Sequence, residues 1–142
     1  MKVLIAIDGS EPALRAFRNV ASLLVPKRDE VRLLTVLSYT DYPYTDFPGE
    51  HLVDEGEREQ YVREKVHHLT DEPRRLLEEI GLRVGIVHRF GNPTEEIVGV
   101  IDEWLPDLVV LGRRGVHGLE RILGSVSERV LHHSKVPVLL VP

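Results

Sequence analysis

The chain has 142 residues, no cysteine and a formal net charge of −5 at pH 7. This length suits one domain with its own hydrophobic core, and the negative charge disfavours a nucleic-acid surface, which requires a basic face. The sequence has no apolar run near the ~20 residues that span a bilayer and no export signal, so we expect a cytoplasmic protein with neither disulfides nor a membrane partner.

The chain opens with a strand, a helix and a second strand. Residues 2–7 are an apolar run that predicts a buried strand. Ser10 is a typical N-cap, and Pro12 suits a first helical turn because its missing N–H is not needed there. Apolar residues then recur at helical spacing as far as Pro26, and residues 31–37 form the second predicted strand.

Residues 38–49 interrupt this pattern with prolines, aspartates and aromatic residues. They form either a surface loop whose aromatic side chains pack on the domain, or a lid beside a ligand cleft. The second interpretation is attractive because loops that follow the strands of such a sheet often carry function.

A long helical pattern follows, from about residue 52 to residue 80. Its apolar stripe keeps one register through Pro73. This predicts either one helix kinked at the proline or two abutting helices, the second capped by Thr70 or Asp71. Gly81 is placed to end the pattern as a C-cap.

The rest of the chain alternates in the same way. Residues 83–89 form the third predicted strand, and Asn92 and Pro93 are the N-cap and first residue of a helix that runs to Trp104. The remaining elements are a strand over residues 108–111, a helix over 125–133 and a strand over 138–141. This alternation predicts a five-stranded parallel α/β sheet with helices on both faces.

The carboxyl ends of two predicted strands indicate where a ligand would bind. Ligands of such sheets lie outside the carboxyl ends of strands, at the point where the strand order reverses. The first strand ends at Asp8 and the fourth at Gly112. If these two strands are neighbours, both residues border one cleft.

A glycine-rich loop joins the fourth strand to the last helix. Glycine lets a backbone approach a ligand closely, and the amides at a helix N-terminus attract anions. Ser125 and Ser127 stand at that helix N-terminus and add hydroxyl groups. The four glycines are Gly112, Gly115, Gly118 and Gly124. We therefore predict that this loop holds the phosphates of a nucleotide.

The chain resembles the universal stress protein family, and specifically its ATP-binding subgroup, over nearly its whole length. The matching segments are KVLIAIDGSEPALRA, LLTV, GNPTEEI, DLVVLGRRGVHGLERILGSVSERVL and the closing VPVLLV. The resemblance implies a single Rossmann-like domain over residues 1–142 with the strand order 3-2-1-4-5. It also implies ATP as the ligand.

One feature departs from the family motif, which is Gly, two residues, Gly, nine residues, and then Gly-Ser or Gly-Thr. Gly112 and Gly115 match the first half and Gly124 with Ser125 the second, but the connector over residues 116–123 has eight residues. A one-residue change in a loop costs little entropy, which favours retained ATP binding. The alternative is a dimeric scaffold of the same fold that has lost ATP, because a rotated last helix would carry Ser125 away from the phosphates.

The resemblance also implies which residues contact the nucleotide. Asp8 would accept a hydrogen bond from a ribose hydroxyl, with Ala6 and Ile7 beside it, and Val36 would pack near the adenine. Alternatively, Asp8 only caps the turn with Ser10, and Val36 is only core. The other implied contacts are Leu111 and Gly112 beneath the ribose and phosphates, and Gly115, Gly124, Ser125, Val126 and Ser127 around the triphosphate.

Neither catalysis nor a resident metal is predicted. A P-loop requires a lysine before its Ser or Thr, and none precedes Ser125. We see no general base, so we expect a binding module rather than an enzyme, with Mg²⁺ arriving on the ATP phosphates. The histidine pairs at 67–68 and 132–133 are adjacent residues that point to different helix faces, which disfavours a metal site.

The last strand raises the question of a partner. The segment between Val136 and Val141 is apolar and lies at the sheet edge in this topology, and an exposed apolar edge invites pairing. The family joins such strands across a two-fold axis, so the resemblance implies a homodimer.

Overall fold

The computed structural model describes residues 1–38, 55–113 and 124–142. The elements in chain order are β1 Lys2–Ala6, α1 Glu11–Ala21, β2 Glu30–Leu37, α2 Glu55–Glu79, β3 Arg83–Phe90, α3 Pro93–Trp104, β4 Leu108–Gly112, α4 Ser125–His133 and β5 Val138–Val141. Adjacent strands pair in parallel in the order β3-β2-β1-β4-β5. The predicted fold class and strand order are therefore confirmed.

The sheet separates two layers of helices, because successive side chains of a strand point to opposite faces. On one face, Ile5 of β1 packs in a cluster with Phe17 of α1 and Leu77 of α2. On the other face, Leu4 packs in a cluster with residues of α3 and with Val130 of α4. No helix in the described part of the chain is long and apolar enough to cross a membrane.

The chain moves from one face of the sheet to the other between α2 and α3, so the strand order reverses between β1 and β4. These two strands are neighbours, with Ile5 opposite Val110. Continuing the same register by two residues places Ile7 level with Gly112. The turn that follows β1 and the segment that follows β4 therefore leave the sheet side by side at one edge.

Three capping residues were correctly predicted. The Ser10 hydroxyl accepts the N–H of Ala13 at 3.3 Å, and the Asn92 side chain accepts the N–H of Thr94 at 3.0 Å. Gly81 follows α2 with a φ of +85°, which is the left-handed conformation expected of a glycine C-cap.

The first helix is shorter than its apolar pattern predicts. α1 ends at Ala21, whereas the pattern continues to Pro26. The N–H of Leu23 bonds to the carbonyl of Val20 at 2.9 Å, so the last turn tightens and the helix does not extend further.

The second helix runs through its proline. α2 is continuous from Glu55 to Glu79, so the alternative of two abutting helices is wrong. Thr70, predicted as a possible cap, instead donates its hydroxyl to the carbonyl of Val66 at 2.7 Å within the helix. Pro73 is buried against the domain, and this packing offsets the backbone hydrogen bond that a proline removes.

The turn after α1 surrounds a buried carboxylate. Asp29 has a side chain with no exposed surface, and it accepts hydrogen bonds at 2.8 Å from the Arg28 guanidinium, the Met1 amino group and the Val25 N–H. The bond from Arg28 contributes most, followed by those from Met1 and Val25, and together they hold the pKa of Asp29 well below its ordinary value.

Replacing this carboxylate should change how stability depends on pH. Because the folded-state pKa of Asp29 lies below the unfolded value of about 3.9, ionised Asp29 stabilises the fold above about pH 4, and this contribution is lost as the pH falls through the folded-state pKa. Urea unfolding followed by fluorescence of the single tryptophan, Trp104, gives the free energy of unfolding. The advantage of the wild type over Asp29→Asn should shrink below about pH 4, and a pH-independent difference would contradict this account.

Gly112 ends β4 where the strand meets the first turn of α1. A Cβ atom at this position would lie 2.7 Å from the carbonyl carbon of Pro12 and 2.7 Å from the nitrogen of Ala13. Both neighbours are backbone atoms, which cannot move aside as a flexible side chain could. The missing side chain therefore allows α1 and β4 to approach this closely.

Gly112→Ala should lower the free energy of unfolding by about 1–3 kcal/mol, because overpacking displaces backbone. Gly99→Ala is the matched control, since Gly99 lies within α3 and its Cβ would meet no described atom within 4 Å. The control should instead gain up to about 1 kcal/mol, because alanine favours helix over glycine. Equal effects of the two substitutions in urea unfolding would refute the close-packing argument.

Candidate functional site

The site lies at the carboxyl ends of β1 and β4, beside the N-termini of α1 and α4. Gly9 turns the chain from β1 into α1 with a φ of +82°. The Oδ1 atom of Asp8 accepts the N–H of Ser10 at 2.8 Å, so Asp8 does cap this turn. The side chain is nevertheless exposed, and its Oδ2 atom has no hydrogen-bond partner within residues 1–38, 55–113 and 124–142. That oxygen can accept a hydrogen bond from a ligand.

The segment before α4 returns to the end of β4. The Gly124 N–H donates to the carbonyl of Arg113 at 2.9 Å, and the Ser127 hydroxyl donates to the carbonyl of Gly112 at 2.8 Å. The two halves of the glycine motif therefore meet at the edge where Asp8 also lies. Gly115, Gly118 and the connector fall outside the described residues.

The N-terminus of α4 offers backbone amides to a ligand. Its N-cap, Gly124, has no side chain to cap the helix. Among the described residues, the N–H groups of Ser125, Val126 and Ser127 have no hydrogen-bond partner. Such amides carry the partial positive charge of a helix N-terminus and bind anions. The exposed hydroxyl of Ser125 lies in the same turn.

Two of the predicted phosphate donors are already engaged. Ser127 is only 4% exposed, and its hydroxyl donates a hydrogen bond to the carbonyl of Gly112. The Gly124 N–H is taken by Arg113. The donors that this part of the site offers to an anion are therefore the three amides from Ser125 to Ser127 and the Ser125 hydroxyl.

The apolar residues predicted to line the nucleotide site lie near the same edge. Ile7 and Leu111 are buried, with 2% and 4% of their surface exposed. Ala6 and Val36 are half-buried and pack against the apolar cluster beneath α3 and α4. Val126 packs against that cluster as well. Ala6 and Val36 thus provide partly open apolar surface on this side of the cleft, to which a flat ring could bind.

Arg113 has a main-chain role that the sequence did not reveal. Its N–H donates to the carbonyl of Val141 at 2.6 Å, and its own carbonyl accepts from Gly124. Arg113 therefore joins β5 to the start of α4 through backbone atoms alone. Main-chain roles leave no trace in residue type, so no sequence signal could have identified this one.

The described residues hold no cluster of three His, Cys, Asp or Glu side chains that would bind a metal ion.

Comparison with known proteins gives one consistent family. The model of the universal stress protein family matches residues 1–142. Universal stress protein YxiE of Bacillus subtilis is 32% identical over 149 residues, which cover 99% of this chain and 97% of YxiE.

Solved structures share the fold. The structure of MJ0577, a protein of Methanocaldococcus jannaschii, superposes with a TM-score of 0.82 at 31% identity, covering 99% of this chain and 94% of that one. The Arabidopsis thaliana universal stress protein family protein At3g01520, solved with AMP bound, has a TM-score of 0.70 at 21% identity, covering 99% of this chain and 90% of that one. At that identity the second likeness concerns the fold alone.

Proposed function

This chain belongs to the universal stress protein family, and we propose that it binds ATP as a small regulatory, stress-response module of the cytoplasm. The supporting observation is the convergence of Asp8, Gly112 and the N-terminus of α4 at the point where the strand order reverses. This is the position at which open α/β sheets bind their ligands.

The chemistry of the site fits the parts of a nucleotide. The amides from Ser125 to Ser127 and the Ser125 hydroxyl would hold phosphate oxygens. The Oδ2 atom of Asp8 would accept a hydrogen bond from a ribose hydroxyl, while Oδ1 keeps its hydrogen bond from the Ser10 N–H. The half-buried surface of Ala6 and Val36 would pack against the adenine.

The competing proposal is a scaffold of the same fold that no longer binds nucleotide. It rests on the eight-residue connector, which could displace the first turn of α4. The Gly124–Arg113 and Ser127–Gly112 hydrogen bonds support retained binding, because they hold the start of α4 through atoms outside the connector.

The proposed role is binding rather than turnover. The one carboxylate proposed to contact the ligand, Asp8, is exposed and has one oxygen bonded to Ser10. Mg²⁺ would be held by the phosphate oxygens and water, as is usual for this ion.

A homodimer through the edge strand is a second part of the proposal. β5 is the last strand of the sheet, and Val138, Leu139 and Leu140 are each only half-buried. A short apolar edge of this kind is stabilised when a second copy pairs with it across a two-fold axis. The segment involved lies between Val136 and Val141.

Calorimetric titration of the purified protein with Mg²⁺-ATP should show binding to one site per chain. Gly124→Val should reduce the affinity at least about tenfold, because the new side chain would lie beside the phosphates. Gly124 has a φ of −58°, which any residue adopts, so the backbone itself should tolerate valine.

Gly99→Ala is the control for this titration, since it alters a glycine of α3 with open space around it. It should bind ATP as the wild type does. Absence of ATP binding by the wild type would favour the scaffold alternative. Unchanged affinity in a folded Gly124→Val protein would place the phosphates elsewhere.

The dimer can be tested by removing one outward N–H group from β5. The carbonyls of Pro137 and Val141 bond to β4, so the alternate residue Leu140 directs its N–H away from the sheet. Leu140→Pro should shift the protein from dimer to monomer in size-exclusion chromatography with light scattering, because proline cannot donate to a partner strand. Val138→Pro is the second variant, chosen because Val138 has the same orientation.

A monomeric wild type at micromolar concentration would contradict the dimer. So would a dimer of unchanged strength in both proline variants, provided that urea unfolding shows them to be folded.

A further inference from the structure

We propose that Ser127 is a positioning residue of the nucleotide site, whose buried hydroxyl sets the first turn of α4 against Gly112 and is not a phosphate ligand. The inference rests on the proposed function and deepens it, because it assigns different tasks to the two serines at the helix start. Ser125 is the serine that faces the ligand.

The two serines differ in their surroundings. Ser125 is exposed, and its hydroxyl has no partner among the residues that the structure describes. Ser127 is 4% exposed, and its hydroxyl donates to the carbonyl oxygen of Gly112 at 2.8 Å. Contact with a phosphate would require the Ser127 hydroxyl to break this hydrogen bond, which would leave the partly buried carbonyl without it.

The acceptor of this bond is fixed in space. Gly112 is paired with Val141 in the sheet and packs directly against the backbone of Pro12 and Ala13. Its carbonyl oxygen is therefore a rigid reference point at the edge of the site. A hydroxyl held by this oxygen orients the helix that carries it.

Within the described part of the chain, the start of α4 has few other means of orientation. Gly124 provides no side-chain cap, so the first turn is fixed by the Gly124 bond to Arg113, by the Ser127 bond to Gly112 and by the apolar packing of Val126 and Val130. The Arg113 bond fixes the position where the helix begins. The Ser127 bond, three residues later, fixes its rotation about the axis.

This arrangement explains how the site can function with a connector of eight residues. A connector that is one residue shorter need not turn the helix, because Ser127 and Gly112 lie on either side of it and hold the helix directly. The rotation decides whether the amides of Ser125 and Val126 point into the cleft. The Ser127 hydroxyl therefore acts on the ligand only through the helix.

The experiment compares Ser127→Ala, Ser127→Thr and Ser125→Ala by calorimetric titration with Mg²⁺-ATP. Ser127→Ala should bind about tenfold more weakly, which corresponds to about 1.4 kcal/mol. Ser127→Thr keeps the hydroxyl and should stay within about threefold of the wild type. Urea unfolding of each variant shows that it is folded. Wild-type affinity in Ser127→Ala would overturn the inference.

A second measurement separates positioning from direct contact. The ¹³C chemical shift of the Gly112 carbonyl reports the hydrogen bond that it accepts, and it can be read in the free protein. Ser127→Ala should move this signal and Ser125→Ala should not. Addition of ATP to the wild type should leave it nearly in place, because the Ser127 bond persists. A shift on ATP binding as large as that caused by Ser127→Ala would show that the Ser127 hydroxyl now donates its hydrogen bond to a phosphate. That result would overturn the inference.

The two proposals fail in different ways. A wild type that binds no adenine nucleotide contradicts the proposed function, and with it the ligand-related part of this inference. A wild type that binds ATP while Ser127→Ala binds equally well contradicts the positioning role and leaves the proposed function intact.

Discussion

The close approach of α1 to the end of β4 is the constraint on which the site depends. It requires that Gly112 carry no side chain, because a Cβ would lie 2.7 Å from backbone atoms of Pro12 and Ala13. This contact places the N-terminus of α1 and the Asp8 turn beside β4. It also fixes the carbonyl to which Ser127 bonds, and thereby the start of α4. The two halves of the site are thus held together by one packed residue.

Much of the fold could be predicted because its signals are local. Ser10, Gly81 and Asn92 act within a few residues of their own positions, so residue type and spacing were enough to assign them. The strand order followed from the family resemblance rather than from the residues alone. Where packing decides the outcome, residue type was not enough: the choice left open at Pro73 is settled by its burial inside a continuous helix.

The site was predictable only in outline. That Asp8 and Gly112 share an edge follows from the topology, because β1 and β4 are neighbours. The individual roles do not, because they depend on contacts between residues far apart in the chain. Gly112 is packed against a helix some hundred residues earlier. The Ser127 hydroxyl donates a hydrogen bond to a carbonyl fifteen residues away. Neither contact leaves a signal in residue type or spacing.

The most direct test of this account is a crystal structure of the protein with a non-hydrolysable ATP analogue and Mg²⁺. The account predicts phosphate oxygens within hydrogen-bonding distance of the amides from Ser125 to Ser127, a ribose hydroxyl on the carboxylate of Asp8, and the Ser127 hydroxyl still bonded to Gly112. An analogue bound away from this edge of the sheet, or phosphates that avoid the start of α4, would contradict it.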